Sequence, residues 1–335
     1  MFQTRIVNML GIRYPIVQAP MNWATNAELA AAVSNAGGLG TLGPNAGVDT
    51  PTDDPKETAE RMRRQIRRVR ELTDRPFAVN FPIGRGEGRK FSDRCIETAI
   101  EERIPIAITA TGSPEVYTRK LKDAGITVIH AVASVYHAQK AEACGVDIVV
   151  AEGYDGGGHS GFDQTPTMTL IPSVARAVKI PVIGAGGIAD ARGFLAALCL
   201  GAEAVYMGTR FLATTECPIH DNVKQMIVRS GDNATVSWGR TLEVARSLKN
   251  RFTERYLELE LSGASREELA AFIRSYDKFG PGVSRRMGGL KFGDIEEGEL
   301  YCGAGAALVD SILPAGEVVK KIVSEAEQLM RRLQA

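Results

Sequence analysis

Cysteine is scarce in this chain and poorly placed for bonding. Five occur among 335 residues, an odd number, with no C-x-x-C pair. That excludes a disulfide framework and a thiolate zinc site, and it predicts a reducing, cytoplasmic setting. Surplus charge is also missing. Forty basic residues balance forty acidic ones, so no electrostatic footprint for nucleic acid exists. No apolar run reaches the roughly 18 residues of a membrane span. The opening "MFQTRIVNML" is too short and too charged for a signal peptide. No G-x-S-x-G occurs, and the four histidines show no metal-ligand spacing with a carboxylate. A serine triad and a metal centre are therefore not expected.

What is present is a core and a rhythm. Apolar residues make up 44% of the chain, and its 35 glycines cluster. Short apolar runs alternate with helical patterns: "PIVQAP" (15–20), "GLGTLG" (38–43), "FAVNF" (77–81), "PIAITA" (105–110), "TVIHAV" (127–132), "VDIVVAEG" (146–153), "PVIGAGG" (181–187) and "AEAVYMGTRF" (202–211). The runs are continuously apolar, as parallel strands covered on both faces require. Helices are expected from Ser113 to Gly125, Ser134 to Gly145 and Asp190 to Gly201, each opened by a capping side chain and closed by glycine. Eight such units predict an α/β fold, a (β/α)8 TIM barrel near its typical ~250 residues. The rival is a doubly wound sheet, since "GAGGIA" (184–189) matches a dinucleotide fingerprint. That rival needs an acid ending the next strand, and "AVYMG" is followed by Thr209 and Arg210 instead. The expected division is a barrel over 1–215, an inserted helical lid over 216–298, and a closing segment with its helix over 299–335.

Barrel chemistry gathers at the carboxyl ends of the strands. Those ends carry Ala19, Pro20 and Met21, then Asn80, the stretch from Glu152 through Gly157 and Gly158 to His159, Gly186 with Gly187, and Gly208 with Thr209. The last two pairs belong to units seven and eight, where barrels build phosphate sites. Glycine lets backbone N–H groups approach an anion closely, and a helix start adds positive potential. His159 follows three glycines and titrates in the range suited to proton transfer. His130 within a strand, His137 on a helix and His220 in the lid read as structural.

These pieces together resemble the nitronate monooxygenase family. The matching stretches are "PIVQAPM", "NAGGLGTLG", "FAVNF", "GGGHSG", "PVIGAGGIADARG" and "GAEAVYMGTRFLATTEC", in order over residues 15–217, with "GAGAALVDSILPAGEVV" like the family's closing segment. The resemblance implies a TIM barrel holding non-covalent FMN. Gly186, Gly187, Gly208 and Thr209 would bind its phosphate, Ala19, Pro20 and Met21 would line the ring, Asn80 would bond the ring's polar edge, and His159 would be the acid/base or substrate-orienting residue. Glu152, Gly157 and Gly158 complete the expected cofactor set. Many members have Gln at Glu152, a different pair at Asp155-Gly156, and some a lysine at Ala131. The implied activity is oxidation of alkyl nitronates by O2. The alternative is reduction of quinones or enoyl thioesters by NAD(P)H, for which "GRGEGRK" (84–90), with Arg85, Arg89 and Lys90, offers phosphate contacts. A more remote alternative is a non-catalytic flavin-binding scaffold. The expected partner is a small-molecule substrate; a homodimer is left open, and neither nucleic acid nor membrane is expected.

Overall fold

The computed structural model describes residues 2–84 and 86–334. Its strands begin with β1 (Ile16–Gln18), β2 (Gly40–Leu42), β3 (Phe77–Pro82), β4 (Ile106–Ala110), β5 (Thr127–Val132) and β6 (Ile148–Glu152). After the two-residue β7 (Gly158–His159) come β8 (Val182–Ala185) and β9 (Ala204–Met207). All but β7 join one parallel sheet in the order β1-β9-β8-β6-β5-β4-β3-β2. A bridge between Val17 and Leu39 links β1 to β2 and closes the ring. The fold is a (β/α)8 barrel, and the doubly wound alternative falls with that closure.

Helices α1 (Arg5–Leu10), α2 (Ala27–Asn35), α3 (Pro55–Leu72), α4 (Arg89–Glu101), α5 (Thr118–Asp123), α6 (Val135–Ala143), α7 (Thr167–Ala177), α8 (Ala191–Cys199) and the single turn α9 (Thr209–Leu212) accompany the strands. Local sequence sets their starts. Asn26, Asp54, Ser134 and Asp190 accept backbone N–H bonds at the openings of α2, α3, α6 and α8. The helix expected from Ser113 is broken. Ser113 bonds the Glu115 carboxylate at 3.2 Å rather than a backbone N–H, and a 3-10 turn precedes the short α5. The arginine-rich face of α3 turns onto α4, where Arg63, Arg67 and Arg70 all meet Glu102, so most of its basic charge is compensated within the protein.

Strand parity sorts the core into two layers. Ala78, Ile106, Ile108, Ile129, Ile148, Val150, Ile183, Ala185, Ala204 and Tyr206 fill the barrel interior. Their neighbours Phe77, Val79, Ala107, Val128, Val149, Val182 and Val205 pack outward under the helices. Helix α1 adds Ile6, Val7 and Leu10 to the interior layer. Arg5 reaches Glu203 at 2.9 Å and the Lys179 carbonyl at 2.9 Å, both just before strands begin. The amino-terminal end of the barrel is thereby stoppered, and the carboxyl end is left for chemistry.

The segment from 216 to 298 holds α10 (Asp221–Val228), β10 (Thr235–Trp238), β11 (Ala245–Leu248), α11 (Arg251–Leu261), α12 (Arg266–Arg274) and α13 (Arg285–Phe292). The expectation of an all-helical insertion is corrected here: β10 and β11 form an antiparallel hairpin, and β7 adds a third strand to it. Thr235, Val236 and Trp238 are strand formers, and Gly239 turns with φ +83°. Trp238, Phe252, Tyr256 and Leu269 gather into a cluster separate from the barrel core. The closing α14 (Ala315–Gln334) packs against α8 and α2. Among the described residues no helix is long and apolar enough to cross a membrane.

Candidate active site

The strand ends converge on one cavity of about 550 Å³. All twelve residues expected to hold the cofactor or act on substrate line it: Ala19, Pro20, Met21, Asn80, Glu152, Gly157, Gly158, His159, Gly186, Gly187, Gly208 and Thr209. Ile83, Ile188, Leu212, Leu290 and Ala131 add apolar surface.

One wall is built from backbone. Gly186 and Gly187 take φ +103° and +70°, which side chains rarely adopt. A Cβ on Gly186 would lie 2.5 Å from the Thr167 hydroxyl and 2.8 Å from the Gly153 carbonyl. Among the described residues the N–H groups of Gly187, Gly208 and Thr209 have no protein acceptor. The closing segment completes this wall. Gly303 N–H donates to the Thr209 hydroxyl at 2.9 Å. A Cβ on Gly157 would sit 2.5 Å from the Gly303 nitrogen, and one on Gly305 would sit 2.9 Å from the Gly187 carbonyl. Gly303 and Gly305 were not among the expected site residues. Their signal was the "GAG" of the closing stretch, a glycine spacing that repeats the one in "GAGG".

Asn80 is buried and donates to the Ile108 carbonyl at 3.1 Å, leaving its oxygen for the cavity. The Asp155 carboxylate points away from the cavity and accepts from Thr167 N at 2.8 Å, capping α7 from outside. Burial pushes the Glu152 carboxyl up to about 7. Two basic residues of the 84–90 loop are matched locally, Arg89 with Asp93 and Lys90 with Glu87. Arg85 lies outside the described residues.

Another part of the lining is built from side chains. His159 sits in β7 in register with Ala245 of β11, so the hairpin rather than a free loop fixes it. Its Nε2 lies 3.3 Å from the Tyr301 hydroxyl and 3.1 Å from a Glu243 carboxylate oxygen. The His159 and Tyr301 rings meet edge to face at 5.3 Å. The Arg286 guanidinium stacks on Tyr301, 4.0 Å from the ring centroid, and its Nε donates to Glu299 at 3.0 Å. Burial lowers the His159 pKa from its ordinary value; the Arg286 charge adds to this, and Glu243 and Glu299 oppose it. The imidazole is therefore neutral at pH 7. Burial also raises the Tyr301 hydroxyl, keeping it protonated. Such a set can take a proton from carbon and hold a developing oxyanion. Glu243, Arg286, Glu299 and Tyr301 were not foreseen, because each comes from a segment read only as a lid or tail.

The other histidines are structural. His130 bonds the Thr109 hydroxyl at 2.8 Å behind the barrel wall, His137 meets the capping Ser134 at 2.8 Å, and His220 opens α10.

Three likenesses agree with this site. The chain is 33% identical, over 97% of its length and 96% of the relative's, to (3aS,4S,5R,7aS)-5-hydroxy-7a-methyl-1-oxo-octahydro-1H-indene-4-carboxyl-CoA dehydrogenase of Mycobacterium tuberculosis. It is 31% identical to a probable nitronate monooxygenase of Staphylococcus saprophyticus, covering 98% of this chain and 99% of that one. The solved structure of FabK from Thermotoga maritima superposes with a TM-score of 0.88 at 36% identity, covering 100% and 99% of the two chains. The nitronate monooxygenase family model matches residues 3–325. With its stoppered barrel and glycine-built cavity, this chain belongs to the nitronate monooxygenase family of oxidoreductases.

Proposed function

We propose that the cavity holds FMN and that the enzyme oxidises alkyl nitronates with O2. One observation carries the cofactor: among the described residues the N–H groups of Gly187, Gly208 and Thr209, which all line the cavity, have no protein acceptor, and Gly186 has no room for a side chain. Unpaired donors at the wall of a cavity, two of them beside the start of a helical turn, suit an anionic ligand that accepts from them, and a phosphate does so. These residues would hold the phosphate, with Ala19, Pro20, Met21 and Asn80 along the ring. The flavin supplies the electron transfer when bound.

The protein supplies the proton and charge handling. A neutral His159 is suited to take the α-proton of a nitroalkane, delivering the nitronate at the site. The Tyr301 hydroxyl stands 3.3 Å from His159 Nε2, placed to donate to a nitro oxygen. Arg286, stacked on Tyr301, favours the anion through its charge. A preformed nitronate needs no base.

A second reading is reduction of an enoyl thioester by NAD(P)H, with the thioester carbonyl taking the nitro group's place at Tyr301. The mycobacterial relative is named for a CoA thioester. Anaerobic stopped-flow mixing separates the two. Bleaching of the flavin band by a nitronate and not by NADH or NADPH is expected. Fast bleaching by a nicotinamide, with reoxidation by an enoyl thioester, overturns the first reading in favour of the second.

A further inference from the structure

Glu152, Ala185 and Tyr206 form a row across three adjacent strands. Glu152 is in register with Ala185, and Ala185 with Tyr206. At the usual strand spacing the two outer Cα atoms stand about 10 Å apart. Both side chains point inward by parity: Tyr206 packs in the interior layer with Ala204, and Glu152 follows Val150 by two positions. Ala185 between them has only a methyl, which leaves a notch. Gly186 and Gly208, part of the phosphate wall, lie one and two residues further along the same strands.

Neither polar group is used by the protein. Burial alone shifts Glu152, and burial followed by the charge of Glu152 shifts Tyr206; no hydrogen bond enters for either among the described residues. Among the described residues no cation answers the carboxyl. The neighbouring strand β5 offers Ala131, β8 offers Ala185, and β9 offers only the Tyr206 hydroxyl. Asp155, in the loop after β6, has its carboxylate bonded to Thr167 N. Gly156 closes over the Glu152 oxygen, where a Cβ would stand 2.8 Å away. With no cation beside it, the carboxyl keeps its proton to higher pH than an exposed one. While it does, the notch presents two O–H donors with no acceptor among the described residues, below a phosphate cradle.

We propose that Glu152, as the uncharged acid, and Tyr206 together bind the polyol chain that joins the flavin ring to its phosphate, so that ionising Glu152 expels the phosphorylated cofactor. The inference rests on the FMN reading above. Hydroxyls of a polyol accept from both donors, and the neighbouring phosphate repels a carboxylate but not a carboxylic acid. The sign follows. Affinity is full while Glu152 is protonated and falls as pH rises through its ionisation.

The test is release of flavin on dilution of the purified holoenzyme, followed by recovery of free-flavin fluorescence. The wild-type dissociation constant for FMN should rise roughly 30- to 100-fold between about pH 6.5 and 9. Glu152→Gln, neutral at every pH, should retain FMN with a flat profile. Tyr206→Phe should weaken binding several-fold at every pH while keeping the wild-type slope. Riboflavin, which lacks the phosphate, should show a shallower slope than FMN. A flat wild-type profile, or a Glu152→Gln slope equal to wild type, overturns the inference and leaves the FMN reading standing. A wild-type protein that binds no flavin at any pH overturns the FMN reading itself.

Discussion

The two walls of the cavity are made of different materials. The wall at β8 and β9 is backbone: left-handed glycines and free amides, fixed by close approach of main chains. The other wall is side chain: His159, Tyr301, Arg286 and Glu243, brought from four separate stretches. Backbone recognition tolerates almost no added atom but carries little chemistry. Side-chain recognition tolerates exchange and holds the protons. The first wall should govern whether the cofactor is kept, and the second how fast it is used.

The sharpest way to break that division is Gly186→Val. The φ of +103° and the crowding by Thr167 predict a loss of about 2–3 kcal/mol of stability and a purified protein without yellow colour. Retained flavin at wild-type stoichiometry would refute the backbone account. Next comes Arg286→Met, which strands the nearly buried Glu299 carboxylate. Chemical denaturation should show about 3 kcal/mol lost, with flavin still bound. The acid limb of the rate profile should move to higher pH, since the charge that depresses His159 is gone.

His159→Asn should keep its flavin and lower turnover of nitroalkanes by roughly 10²-fold, with a much smaller loss for preformed nitronates. Equal losses for the two substrates would show that the imidazole does not serve as a base. In the wild type, protonating His159 removes that base. The rate on nitroalkanes should therefore fall on acidification only below the ordinary histidine range of about 6.5. The mildest expected change is Tyr301→Phe, roughly 10-fold in turnover from the loss of one hydrogen bond to charge. It should leave FMN affinity untouched, and a parallel loss of affinity would join the two walls into one.

The same contrast explains what was legible in the sequence. The eight apolar runs fall on the eight barrel strands because strand burial on both faces is a local property of composition. Gly186, Gly187, Gly208 and Thr209 were legible as cavity-lining positions because each pair directly follows a strand end, where a barrel opens to its mouth. Asp190 and Ser134 were legible as caps, also from local sequence. Tyr301 and Arg286 were not, because their place at His159 is set by folding of distant segments onto the barrel mouth. The hairpin at Thr235–Trp238 was hidden by helix-rich flanks that dominate the local pattern. Ser113 failed as a cap because its own carboxylate neighbour, Glu115, took the hydroxyl.

Gly157 meets Gly303, and Gly187 meets Gly305, main chain to main chain at the barrel mouth, although well over a hundred positions separate the members of each pair. Nascent chain emerging from a ribosome could assemble most barrel strands before residue 303 exists, yet the wall proposed to seat the cofactor would still lack Gly303 and Gly305. Flavin uptake should thus be a late event in biogenesis, and a chain cut short ahead of Gly303 should be a colourless barrel.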